Sequence, residues 1–413
     1  MIHLLLLDVD GVLVDAQGYL RALQDSVAHF ARQMRVGDHA PTEEEVRLFE
    51  AHGLGCEWDS GALLVAALLL ERLRCEPALP LPPAWPDALS ALAAHAHPVS
   101  PPDYAALARR VANHMQEWPS AAQAARAVLW TEAQSIPGLT ASLPALGALL
   151  DTLLNDTHDF YRAPLTRHFQ HLAIGSQAVA KTYGVVPDFE SPAYLRQYDR
   201  PLLSAATRVR LDEAVARGQA RIALYTARPS LPPVEVEGPA AGYSPEAEIA
   251  RALVGLEAYP IIGMGKMRWL AEQVGQQVGR LVKPSPVQAL AAAGAAWSGQ
   301  ERSALEAALA FHDAGETRPA SPWPPPLAGA GPATVHVFED TPGGLAAVER
   351  ACDALRAVGL PVTWQPHGIA PASSPKAAMM RARGIPVYTS INQALQAALI
   401  GTGSQASPAG TCT

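Results

Sequence analysis

Two aspartates, Asp8 and Asp10, stand two residues apart directly behind an apolar run, and Gly11 follows them. Three other polar groups hold the same kind of position after an apolar run: Thr226, Lys283 and the pair Glu339-Asp340. Open parallel sheets bind ligands in the crevice beyond the carboxyl ends of their strands. Four strand ends carrying carboxylates, a hydroxyl and an ammonium therefore suit a hard divalent cation and a phosphate together. Carboxylates gathered at one point repel unless a cation lies between them, and magnesium favours few carboxylates completed by water. Asp8 and Asp340 are the expected metal ligands on these grounds. Lys283 supplies positive charge where phosphoryl oxygens must lie, and Thr226 can donate a hydrogen bond to one of them. A carboxyl with the ordinary pKa of about 3.9 is ionised near neutrality, so Asp8 can attack phosphorus without a separate base. Asp10 can protonate the leaving alcohol and later activate water. Gly11 lets the backbone turn sharply and offers N–H groups to the phosphate.

Some side chains admit two readings. Lysine is scarce, with only Lys181, Lys266, Lys283 and Lys376 in the chain, so Lys266 is the competitor for the role given to Lys283. Arg228, two residues beyond Thr226, suits either a substrate anion or a salt bridge. The basic group His158, Arg162, Arg167, His168 and His171 reads as a solvated helix face, the alternative being a surface that closes over the site.

The elements that must position these groups follow from the hydrophobic pattern. Residues 3–9 form a continuous apolar strand, the pattern of burial on both faces of a parallel sheet, and the next such strand is 220–225. Between them, 104–114, 121–132 and 143–155 carry helical spacing broken by the Pro-rich stretch 77–102, and the apolar stripe 62–70 reads as helical core. From about 205 helix and strand alternate: helical 207–217, strand 220–225, helical 246–256, strand 259–262, helical 266–274, 281–283 entering a helix at 286–296, strand 334–338 and helical 345–358. Such alternation predicts an α/β fold, a doubly wound Rossmann-like parallel sheet. The expected domains are a core of 1–15 and 205–400, a large mainly α-helical cap of 16–204 inserted after the first strand, and a disordered tail of 401–413. Segments 229–245 and 315–332 are rich in Pro and Gly and read as loops.

Taken in order, Asp8-Val9-Asp10-Gly11-Val12, Thr226 behind Ala223-Leu224-Tyr225, Lys283-Pro284-Ser285-Pro286 and Phe338-Glu339-Asp340-Thr341-Pro342-Gly343-Gly344 resemble the four motifs of the haloacid dehalogenase (HAD-like) superfamily. In particular they resemble the subgroup containing phosphoglycolate phosphatase and β-phosphoglucomutase, whose helical cap follows the first motif. The resemblance covers about 1–15 and 205–365 at motif level. It implies Asp8 as nucleophile, Asp10 as acid/base and Thr226 and Lys283 as phosphate stabilisers. It also implies Mg2+ held by Asp8, the Asp10 carbonyl and Asp340, with Glu339 bound directly or through water. The implied activity is hydrolysis of a small phosphomonoester through an aspartyl phosphate on Asp8. A phosphomutase shares all of these residues, and a non-catalytic ligand-binding protein is the alternative from another class. The spacings between Thr226, Lys283 and Glu339 and the length of the cap exceed the usual family pattern, which bears on the substrate.

Composition narrows the rest. A chain of 413 residues predicts about two to three domains. A net charge of −8 and a pI near 5.9 leave no basic footprint for a nucleic-acid backbone. Cys56, Cys75, Cys352 and Cys412 are scattered singly, which fits a reducing cytoplasm. The apolar runs 4–7 and 62–70 are too short for a signal peptide core and a membrane span respectively. No P-loop and no Cys/His set with zinc-ligand spacing occurs along the chain. The expected partner is a small phosphorylated metabolite, with neither nucleic acid nor membrane; oligomeric state is not encoded in any of these features.

Overall fold

The computed structural model describes residues 2–118, 120–236, 242–314 and 332–400. The expected tail at 401–413, residues 315–331 of one expected loop and 237–241 of the other lie outside the described residues. Two compact units are present: one built from described residues of Met1–Ala16 and Asp199–Thr413, the other from Gln17–Tyr198.

The first unit is a six-stranded sheet with helices on both faces. Its strands are β1 (Ile2–Leu7), β4 (Ala220–Tyr225), β5 (Ile261–Ile262), β6 (Ala333–Glu339), β7 (Val362–Ile369) and β8 (Val387–Tyr388). A separate two-stranded antiparallel ribbon, β2 (Val14–Asp15) with β3 (Arg200–Pro201), joins the chain where it leaves and re-enters this unit. The sheet order is β5-β4-β1-β6-β7-β8 and every pairing in it is parallel. From β1 the chain builds outward through β4 and β5, then returns to the other side of β1 for β6, β7 and β8. β1 is thus the switch point, and the crevice of such a sheet opens beyond its carboxyl end.

The apolar run of β1 is explained by burial on both faces. Leu4 and Leu6 pack into one core with helices Met264–Val274, Pro286–Ser298, Glu301–Asp313 and Pro342–Ala357, whereas Leu5 and Leu7 pack into the other with helices Ala205–Ala216, Glu246–Leu253 and Ile391–Ile400. Successive strand residues point to opposite faces, so a strand covered on both sides must be apolar throughout.

Two departures from the sequence pattern stand out. Residues 281–283 form no strand: a 3-10 turn at Val278–Arg280 leads into a tight turn in which Ser285 N–H donates to the Val282 carbonyl, and the helix begins at Pro286. Two apolar residues between Arg280 and Lys283 are too few to hold a strand. Conversely, β7 and β8 carry no clear apolar signal, because Thr363, Gln365 and Pro366 interrupt the run and Pro disfavours a ladder position.

The second unit, Gln17–Tyr198, is helical. Its central helix, Glu57–Cys75, is buried continuously from Asp59 to Leu70, as expected of an apolar helix enclosed by others. Helices Gln17–Gln33, Ala121–Gln134, Leu143–Leu154 and Pro164–Ile174 pack around it. Among the described residues, no helix is long and apolar enough to cross a membrane.

Candidate active site

Asp8 follows β1 directly, and its N–H donates to the Phe338 carbonyl across the β1–β6 pair at 3.0 Å, which carries the ladder one residue past the strand. Glu339 ends β6 and Asp340 follows it. This puts three carboxylates together: ligand oxygens of Asp8, Glu339 and Asp340 all lie within 4.8 Å of one another. Asp8 and Glu339 are buried, Asp340 partly so.

Lys283 reaches this cluster from its turn. Its Nζ lies 3.1 Å from Asp8 Oδ1 and 2.7 Å from Glu339 Oε2, donates to the Tyr225 carbonyl at 3.0 Å, and sits 4.0 Å from the centre of the Tyr225 ring. Burial works to lower its pKa, but the Asp8 and Glu339 carboxylates outweigh that and hold the ammonium charged. The same neighbours act oppositely on the acids. Burial, then the Glu339 charge, push the Asp8 carboxyl well above the usual range against the pull of Lys283. Burial also raises Asp340, although Lys376 lowers it through a 2.6 Å contact to Oδ2. Three carboxyls against two lysines, with two of the acids shifted toward protonation, are a set that a divalent cation would suit.

Close packing holds the carboxylates in place. Gly11 has φ of +70°, and a Cβ there would lie 2.9 Å from Asp340 Oδ2. A Cβ on Gly344 would lie 2.1 Å from Glu339 Oε2. Glu339 Oε1 accepts from the Thr341 hydroxyl at 2.8 Å, and Thr341 in turn caps the helix Pro342–Ala357 by accepting from Gly344 N–H. Both Glu339 oxygens therefore have protein partners, whereas Asp8 and Asp340 carry the less occupied ones.

Thr226 is fully buried after β4, where its hydroxyl oxygen accepts from Arg228 N–H at 3.1 Å. Asp10 stands apart from the carboxylate cluster. Arg228 grips both its oxygens, at 2.9 and 3.0 Å from Nε and 2.6 Å from Nη2, and Nη2 also reaches Asp199 Oδ2 at 3.0 Å. The Arg228 side chain is 1% exposed but that of Asp10 is 40% exposed, so Asp10 faces solvent from a buried mount. Arg228 is consequently a buried bridge rather than a surface ion pair.

Lys266 does not compete for the cluster. It is buried elsewhere, 3.0 Å from Glu248 and 3.5 Å from Glu301, beneath a turn so tight that a Cβ on Gly265 would overlap the Ser230 carbonyl. The basic group of the helical unit is no common solvated face either: His171 is buried and accepts from Asp188 N–H, Arg167 pairs with Asp188, and His168 stacks on His29. Three residues given no role by the sequence pattern also hold the site. Gln288 donates to the carbonyls of Thr226 (2.8 Å) and Ile262 (3.1 Å) and accepts from Lys283 N–H (3.1 Å), tying two strand ends to the lysine turn. The others are Asp199 and Lys376.

No protein-family model and no curated protein sequence matches the chain. Two solved structures are similar. An X-ray structure of a Northeast Structural Genomics Consortium target, ZR25, aligns over 97% of this chain and 99% of its own with a TM-score of 0.59 at 14% identity. Phosphatase Tt82 from Thermococcus thioreducens aligns over 97% and 100% with a TM-score of 0.40 at 12% identity. The first likeness is one of fold.

Proposed function

We propose that this protein is a magnesium-dependent, HAD-like phosphohydrolase that cleaves a small phosphomonoester through an aspartyl phosphate on Asp8. The observation that carries this reading is the meeting of Asp8, Lys283, Glu339 and Asp340 at the carboxyl ends of β1 and β6, beside the switch point of the sheet. Asp8 and Asp340 would hold the cation, joined by the Asp10 carbonyl, with Glu339 reached through water because its oxygens are engaged by Lys283 and Thr341. The cation supplies positive charge that offsets the phosphoryl group and the clustered acids.

The chain's own residues divide the remaining work. Asp8 Oδ attacks phosphorus, forming an O–P bond as the P–O bond to the substrate alcohol breaks. Lys283 neutralises charge on the phosphoryl oxygens and, with the cation, would favour the ionised form of Asp8, and the Thr226 hydroxyl donates to the same oxygens. Asp10, solvent-facing and steadied by Arg228, gives a proton to the leaving alcohol and takes one from the water that hydrolyses the acyl phosphate. The helical unit has the role of the cap in this reading.

Hydrolysis of an aryl phosphate with Mg2+ tests it. Asp8→Asn should abolish turnover, since an amide cannot form the acyl phosphate, while Asp10→Asn should slow it by about 10²- to 10⁴-fold, and less for activated leaving groups. A beryllium fluoride adduct should form on Asp8. Near-normal turnover by Asp8→Asn would overturn the assignment.

A further inference from the structure

A second group of ligating side chains lies in the helical unit, far along the chain from the acids above. Cys56 occupies the N-cap position of helix Glu57–Cys75, Asp59 lies in its first turn, and His158 comes from the connection before helix Pro164–Ile174. Their ligand atoms all fall within 4.8 Å of one another. Cys56 Sγ is 3.8 Å and Asp59 Oδ1 3.3 Å from the same nitrogen, His158 Nε2.

Two features distinguish this from a capping arrangement or a catalytic triad. The Cys56 side chain makes no cap hydrogen bond, although an N-cap position favours Ser, Thr, Asp or Asn for that purpose. In a triad the nucleophile and the acid occupy opposite nitrogens of the imidazole. Here both converge on one nitrogen, as donors around a shared ion do. Zn–S of about 2.3 Å, Zn–N of about 2.0–2.1 Å and Zn–O of about 2.0–2.2 Å set tetrahedral edges of roughly 3.6 Å for S···N and 3.4 Å for N···O. The observed 3.8 and 3.3 Å lie within about 0.2 Å of these two edges.

The geometry points to a site for a borderline-soft divalent cation, Zn2+ by preference, held by the Cys56 thiolate, the Asp59 carboxylate and His158 Nε2. Thiolate and carboxylate together balance the double positive charge, and a thiolate discriminates against Mg2+, which requires oxygen ligands. Asp59 is buried and receives a hydrogen bond from the Thr157 hydroxyl, an outer-shell contact that fixes the ligand. His158 has a 62% exposed side chain and packs edge-to-face with the Trp58 ring, the centroids 5.1 Å apart. Three protein ligands would leave a fourth position for water, as in open rather than structural zinc sites. Linear spacing could not reveal this set, because His158 lies 102 residues beyond Cys56.

Cobalt(II), a coloured stand-in for zinc, tests the site in the full-length reduced protein after removal of metals by a chelator. A single equivalent of Co2+ should produce near-ultraviolet thiolate-to-cobalt charge transfer with visible bands of tetrahedral intensity, and Zn2+ should abolish both. Cys56→Ser and His158→Ala should lose the charge-transfer band, whereas Asp340→Asn, in the oxygen-only cluster, should retain it. Thr157→Ala should bind about 10- to 100-fold more weakly, as outer-shell changes do. Zn2+ should raise the melting temperature of the wild type but not of Cys56→Ser. A wild-type protein with titratable thiols but no charge-transfer band at saturating Co2+ would overturn the proposal. So would a band that survives in Cys56→Ser.

Discussion

Replacing Asp8 should make the protein more stable while abolishing its activity. The Asp8 carboxylate lies 3.1 Å from Lys283 Nζ and shares its surroundings with Glu339 and Asp340, whose ligand oxygens are within 4.8 Å. At an effective dielectric of about 20, the attraction to Lys283 is about 5 kcal/mol, whereas each carboxylate repels by at least about 3.5 kcal/mol. Charge on Asp8 is therefore disfavoured by roughly 2 kcal/mol before any burial cost. Asn keeps an oxygen for Lys283 and sheds the charge. Because burial and Glu339 raise the folded-state pKa of Asp8, the folded protein binds more protons here than the unfolded chain. The penalty is therefore absent below the unfolded value of about 4 and grows as pH rises through the folded one. Asp8→Asn should match wild type at about pH 4 and gain roughly 2 kcal/mol above neutrality in chelator, or about 4–8 °C in melting temperature for a unit of this size. Magnesium should narrow the gap, since it relieves the same repulsion in the wild type. Thermal melts of both proteins across this range, with EDTA and with Mg2+, measure it. A variant that melts below wild type at alkaline pH in EDTA, or a difference independent of pH, would refute the charge argument.

Other perturbations have equally defined outcomes. Arg228→Met removes the buried guanidinium shared by Asp10 and Asp199 and should cost about 3–5 kcal/mol in urea unfolding, with Asp199→Asn recovering part of it. His3, His336 and His367 form a ladder across β1, β6 and β7 with ring nitrogens 2.9 and 3.0 Å apart. Burial pushes His336 down to about 3 and His367 down to about 4. Depressed folded-state values mean stability is intact above about 6.5 and lost as pH falls below it, by up to roughly 3 kcal/mol per ring near pH 4. His336→Gln should flatten that slope in melts recorded against pH; an unchanged slope would exclude the ladder as its source. Gly344→Ala places a Cβ 2.1 Å from Glu339 Oε2 and should cost about 1–3 kcal/mol while moving Glu339 off Lys283, read as a fall in kcat exceeding the loss of folded protein.

The parts of the molecule that were legible in its sequence are those governed by near neighbours along the chain. β1, β4 and β6 are buried on both faces over most of their length, so each is a short, mainly apolar run despite His3, Arg221, Thr334 and His336, and the residue that ends the run must lie at the carboxyl end of its strand. That pattern alone places Asp8, Thr226, Glu339 and Asp340 at strand ends. Lys283 carried the same signal for a different reason: it stands on a turn, and only its long side chain brings its charge to Asp8 and Glu339. β7 and β8 escaped notice because polar residues and Pro366 break their pattern, and pairing with β6 is what makes them strands. What the tertiary structure alone decided is which distant polar groups meet. Arg228 reaches Asp10 across 218 positions, Gln288 ties Thr226 to Lys283, and His158 joins Cys56 and Asp59. Burial along a strand repeats every second residue and leaves a periodic trace, whereas a contact between two side chains from separate elements depends only on where the backbone carries them and leaves no spacing to read.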